Sequence, residues 1–166
     1  MSQLESALAQ IRLARSYVDE LLSHMDPSEW FRQPKEGVTH VAWQVGHLAV
    51  AQYSLALKRV RGETTTDATL VSPEFLDCYG KGSLPSPNPA DNFAVKEVRN
   101  VADQVHAQVM TELQEFTDEQ LAVPSDPRHP MFETKLGALQ WCAQHEFTHA
   151  GQIALLRRLF GEDPLW

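Results

Sequence analysis

The sequence predicts an all-α fold, a four-helix bundle. Three observations point to it: the ten prolines are confined to a few places, the stretches between them carry apolar residues at helical spacing, and no sustained period-two alternation marks a strand. Pro27 and Pro34 share one gap, Pro73, Pro85, Pro87 and Pro89 a second, and Pro124, Pro127 and Pro130 a third, with Pro164 near the tail. Proline breaks a helix interior, so the intervening segments are free to run as long helices.

The first segment, about 2–25, places Leu4, Leu8, Ile11, Val18, Leu22 and Met25 on one stripe with charges opposite. A second, about 39–61, opens at Thr39 as N-cap and closes at Gly62 after Lys58, Arg59 and Arg61, where cations suit the helix dipole and glycine suits a left-handed cap. The third, about 89–116, takes Asn88 as cap and Pro89 as its first helical residue, followed by Val98, Val101, Val105 and Val109. A fourth, about 134–160, starts at Thr134 and ends with Arg157, Arg158 and Gly161. After the first helix Asp26–Trp30, and after the third Thr117–Leu121, each read as one short capped turn. Two similar hairpins result, joined by 62–89. That join is too long for a tight turn, so it predicts a crossover between helices 2 and 3 and an up-down-down-up order within one domain over 1–166.

Length and charge narrow the function. The chain has 166 residues with 14 basic against 22 acidic side chains, a net charge of −8. That balance argues against nucleic acid and against an anionic membrane surface as partners. No apolar run is long enough to cross a bilayer, and residues 1–15 lack an export signal. Two cysteines, Cys78 and Cys142, make no disulfide framework and point to a reducing, cytoplasmic setting.

Seven histidines are the chemical signal. His145 and His149 are four apart, so on a helix they occupy one face and can share a metal ion. They lie among Trp141, Ile153 and Leu156 at helical spacing, which predicts an inward face. Two buried imidazoles without partners would be costly. Gly151 costs about 1 kcal/mol inside a helix, which predicts a close neighbour there. On the second helix, His47 follows another mid-helix glycine, Gly46, and shares a face with Trp43, Val50 and Ala51. His47 stands fifteen residues before Gly62, and His145 and His149 stand sixteen and twelve before Gly161. The heights match, which predicts that His47, His145 and His149 form one metal site. His24, His40 and His129 read as solvated, and His106 as a surface residue.

Residues 145–149 also spell HExxH, the zinc-hydrolase pattern, but no further histidine follows His149 to complete such a site. The stretches WQVGHLAVAQY at 43–53 and QHEFTHAGQIALLRRL at 144–159, in this order and at this separation, resemble the DinB-like superfamily of metalloenzymes instead. The resemblance implies a four-helix bundle with crossover topology, a frequent homodimer, and a triad carried onto His47, His145 and His149. It departs at Ala150, where many relatives have a basic residue.

Three neutral ligands leave a divalent ion an open position, a catalytic arrangement more than a structural one. Zinc and nickel head the candidates, although histidine also suits copper and iron. The resemblance implies activation of a low-molecular-weight thiol cosubstrate for addition to an electrophilic small-molecule substrate, as in a thiol S-transferase or isomerase. The alternatives are a non-catalytic, metal-stabilised, stress-associated binding module and an HExxH metallohydrolase. Glu146, beside a ligand, is the candidate for acid–base work. Adjacent helix positions diverge by roughly 100°, so it reads equally as a solvated charge. Gln44 and Gln152 share faces with the ligands and can orient them. Trp43 and Trp141 read as packing or pocket wall, and Cys142 as a small buried residue.

Overall fold

Ser2 opens the first helix by accepting the amide of Glu5 on its hydroxyl while the Glu5 carboxylate takes the Ser2 amide, a reciprocal cap that fixes where α1 (Gln3–Ser23) begins. The computed structural model describes residues 2–165. α2 (Val41–Gln52) runs on through a π-helical stretch, Tyr53–Lys58, into α3 (Arg59–Arg61), which stops at Gly62 with φ +90°. Two short helices follow, α4 (Asp67–Leu70) and α5 (Pro73–Tyr79). The remaining helices are α6 (Val95–Glu112), α7 (Asp118–Leu121) and α8 (Lys135–Leu159).

The apolar stripes meet in one core. Ile11 and Val18 of α1, Val45 and Leu48 of α2, Val98, Val105 and Val109 of α6, and Leu139 and Ile153 of α8 are all buried in it. Cross-contacts order the helices. Arg15 meets Glu146 and Arg157 meets the Leu21 carbonyl, so α1 and α8 advance together. Gln44 meets Gln152 while the Val60 carbonyl accepts from Lys135, so α2 and α8 run oppositely. Gln52 meets His106 and Arg61 meets Glu112, so the α2 run and α6 advance together.

Arg15 binds these elements from inside. Its guanidinium donates to Glu146 Oε1 (2.7 Å), the Ala102 carbonyl (3.1 Å) and Gln52 Oε1 (3.3 Å), and the Gln52 amide in turn donates to His106 Nδ1 (3.2 Å). One cation from α1 therefore reaches α2, α6 and α8, with its buried charge matched by Glu146. A second buried carboxylate, Asp67, anchors the start of the long connection. It accepts from Arg61, Tyr53, and both the amide and hydroxyl of Thr64, which hold its carboxyl far below the ordinary range.

Several expectations need correction. The fold is mostly helical but not all-α: β1 (Pro124–His129) and β2 (Phe132–Thr134) form an antiparallel pair in the third proline gap. In a two-stranded sheet both strands are edges, and an edge strand tolerates proline. Asn88 and Pro89 begin only a single 3-10 turn, Pro89–Asp91; α6 itself starts at Val95, where the Glu97 carboxylate accepts the Ala94 amide. His40, not Thr39, caps α2, its Nδ1 accepting the Trp43 amide at 3.1 Å. Gly151 has open space where a Cβ would lie, whereas at Gly46 a Cβ would stand 2.4 Å from the Tyr79 ring. The close neighbour is thus at the other helical glycine. The turns at Pro27–Glu29 and Asp118–Leu121 form as expected, capped by Asp26 and Thr117.

Candidate metal centre

α2 contributes His47 and α8 contributes His145 and His149, and one nitrogen from each ring lies within 4.8 Å of the others. The ring centroids of His145 and His149 are 4.5 Å apart, those of His47 and His149 4.9 Å, and those of His47 and His145 5.4 Å. His149 is buried, and the other two are half-buried.

The surrounding hydrogen bonds set the tautomers. A carbonyl can only accept, so His47 Nδ1 donates to the Tyr79 carbonyl at 2.9 Å, leaving the Nε2 lone pair free. The Gln44 amide group donates to Gln152 Oε1 and Thr39 Oγ1, both at 2.8 Å, which leaves Oε1 as acceptor for His149 Nδ1–H. His149 therefore also presents Nε2. Metal-binding histidines characteristically donate their other nitrogen in this way, so the donor set fits a divalent cation. Burial first, then neighbouring rings, push His149 down to about 3 and His145 down to about 4. Burial lowers His47 as well, against the pull of its Tyr79 bond. All three rings are neutral near pH 7 and so could serve as ligands.

The other expected residues fall around this centre with mixed outcomes. Gln44 holds His149 across the two helices rather than His47, three positions along its own helix, and Gln152 reaches His149 only through Gln44. Trp43 stacks on His47, centroids 4.7 Å apart and 5° between planes, and donates its Nε1–H to Ser83 Oγ at 2.9 Å. Cys142 is buried, which pushes its thiol well up. Glu146 is not a solvated charge: it is 2% exposed and paired with Arg15. Burial raises its carboxyl pKa while the Arg15 guanidinium opposes that rise. His40 is fully buried, so it is not solvated; His129 stacks on Phe132 but stays partly exposed, and His24 is exposed. His106 is half-buried, and burial with the nearby Arg15 pushes it down to about 4.

Tyr79, which holds one candidate ligand through its carbonyl and packs its ring on Gly46, was not foreseen. Its only trace in the sequence is the unexplained glycine before His47.

A cleft of about 660 Å³ opens beside the rings, within the usual range for small-molecule sites. His47 and His145 line it together with Val50, Leu76, Met131 and Trp141, and the π-helical stretch supplies Tyr53, Ser54, Leu55 and Lys58.

A family model described as the DinB superfamily matches residues 10–153, a span that contains all three histidines. No curated protein matches the chain. Among solved structures, a conserved protein from Enterococcus faecalis superposes with a TM-score of 0.72 at 20% identity, covering 98% of this chain and 99% of that one. That likeness is one of fold.

Proposed function

Since the chain belongs to the DinB superfamily, we propose that it binds one divalent ion through His47, His145 and His149 and uses it to activate a low-molecular-weight thiol toward an electrophilic small molecule. The observation that carries this reading is the convergence of three neutral imidazoles, two of which, His47 and His145, line an open cleft. His47 and His149 have their second nitrogen already committed to a neighbour.

An ion with three protein ligands would supply Lewis acidity at a free position, lowering the pKa of a thiol placed there. Zinc and nickel are the ions we favour for these ligands. The protein's own part is to hold the rings. Gln44 and the Tyr79 carbonyl fix their orientation, Trp43 braces His47, and the apolar walls exclude water from the reacting groups. For Glu146, burial and the Arg15 pair support a positioning role on the ligand-bearing helix better than the acid–base role its neighbour suggested. The same pairing argues against an HExxH hydrolase, which needs that carboxylate at the metal.

The reading includes an up-down-down-up bundle in a single domain. The parallel advance of α1 with α8 and of the α2 run with α6, each opposed to the other pair, supports it. It also includes a cytoplasmic protein that pairs with a second copy. Exposed Leu13, Phe147, Leu155 and Leu159 on α1 and α8 supply an apolar face for that contact. No described helix is long and apolar enough to cross a membrane.

Elemental analysis of the purified protein beside His47→Ala tests the site. About one divalent ion per chain, lost in the variant, is expected; equal metal in both overturns it. Assays of thiol conjugation before and after chelation test the activity. Lost turnover with an intact fold supports the enzyme. Loss of the fold on chelation supports the non-catalytic, metal-stabilised module in its place.

A further inference from the structure

The turn that follows α5 is clamped to α2 at both ends. Upstream, the Tyr79 carbonyl accepts from His47 Nδ1; downstream, Ser83 Oγ accepts from Trp43 Nε1. Between them the Ser83 amide and hydroxyl both donate to the Gly80 carbonyl, at 3.1 and 2.9 Å, and Gly82 takes φ +94°. Lys81 rides on this short, doubly anchored loop and lines the same cleft as His47 and His145. Among the described residues its ammonium makes no hydrogen bond or ion pair. The other cleft lysine, Lys58, is already matched by Glu63 at 3.0 Å, so that pair leaves little net charge. Across the cleft, the Lys81 charge joins burial and Arg59 in lowering His129. A chain of net charge −8 thus holds an unmatched cation on the lining of a largely apolar cleft.

We propose that Lys81 is a specificity-determining residue that selects a carboxylate-bearing organic molecule, its charge at the rim and its carbon skeleton against Val50, Leu76, Met131 and Trp141. This rests on the thiol-activating reading of the site for what happens at the histidines, and adds the chemical class of what enters. A lysine on a flexible stem is a point charge, so it selects for an anion without demanding a fixed geometry. The clamped loop fixes the backbone from which Lys81 reaches the cleft that His47 also lines. Because Lys81 is solvent-exposed, its pull on an incoming anion is modest and screened by salt.

Titration of the metal-loaded protein with 6-mercaptohexanoate, 6-mercaptohexanol and hexanoate, followed by calorimetry and amide chemical shifts, tests this. The thiol acid binds about fivefold tighter than the thiol alcohol. Lys81→Gln removes that preference and Lys81→Arg keeps it; the residue is exposed, and an unchanged melting temperature verifies the fold. Equal binding of acid and alcohol, a preference that survives Lys81→Gln, or no binding of the acid overturns the proposal. Failure of the thiol reading has a different signature: hexanoate then binds as tightly as 6-mercaptohexanoate, with both still dependent on Lys81.

Discussion

The main-chain carbonyl of Tyr79 accepts from His47 Nδ1 at 2.9 Å, and the ring of the same tyrosine occupies the space beside Gly46. One residue of the connecting segment therefore orients a candidate ligand and requires a glycine one position before it. Gly46→Ala would set a Cβ 2.4 Å from the Tyr79 ring. It is expected to cost about 1–3 kcal/mol by overpacking and to weaken metal binding together with stability. Gly151→Ala, facing open space, is expected to gain up to ~1 kcal/mol. Thermal melts and metal titrations of both variants check the contrast.

Gln44→Leu removes the acceptor for His149 Nδ1 while keeping the side-chain bulk. Metal affinity is expected to fall about 10–100-fold. Competition against a chromophoric chelator measures it, and an unchanged affinity contradicts the orienting role.

The metal-free protein should lose stability in acid. His145 and His149 titrate in the fold at about 4 and about 3, against 6.5 in an unfolded chain. Below 6.5 the unfolded state binds more protons, so stability falls as pH drops through the window down to about 3 and is flat above it on account of these groups. Denaturant melts of the apo protein across that window give the slope. Bound metal should hold the rings neutral and flatten the upper part of the curve.

Arg15→Ala leaves Glu146 without its buried partner and is expected to cost about 3–5 kcal/mol. Arg15→Met combined with Glu146→Leu should recover most of that loss. A positioning role predicts that the double variant still binds metal with near-parental affinity. An acid–base role predicts that turnover stays lost despite restored stability and metal, which activity assays on the same sample read directly.

Leu155→Glu places a charge in the exposed apolar face of α8. Sedimentation equilibrium is expected to show a dimer for the parent chain and a monomer for this variant. A parent that sediments as a monomer removes the pairing from the reading.

What could be read beforehand follows from which interactions are local. The stripe Leu4–Leu8–Ile11 on α1 and the four-residue step from His145 to His149 depend only on helical period, and both were legible. His47 joined them because its helix, too, is bounded by recognisable ends. The β1–β2 pair was not legible, since PSDPRH carries four turn-favouring residues and no alternating apolar face. Arg15, Gln52, His106 and Glu146 were not recognised as a set: each is an ordinary polar residue on its own helix, and only packing brings them together. Lys81 likewise acquires its place from a loop tied down thirty-odd residues away in sequence, at Trp43 and His47.

The wide turn at Tyr53–Lys58 carries a consequence for the whole second half of that helical run. Each π turn holds one residue more than an α turn, so it offsets the angular phase of everything beyond it by roughly 100°. Drawn up into α geometry without losing a residue, the stretch would swing Lys58 out of the cleft and carry Arg61 off Asp67, uncoupling the entry to the connecting segment from the helix that bears His47; deleting one residue there would cancel the offset and leave both in place.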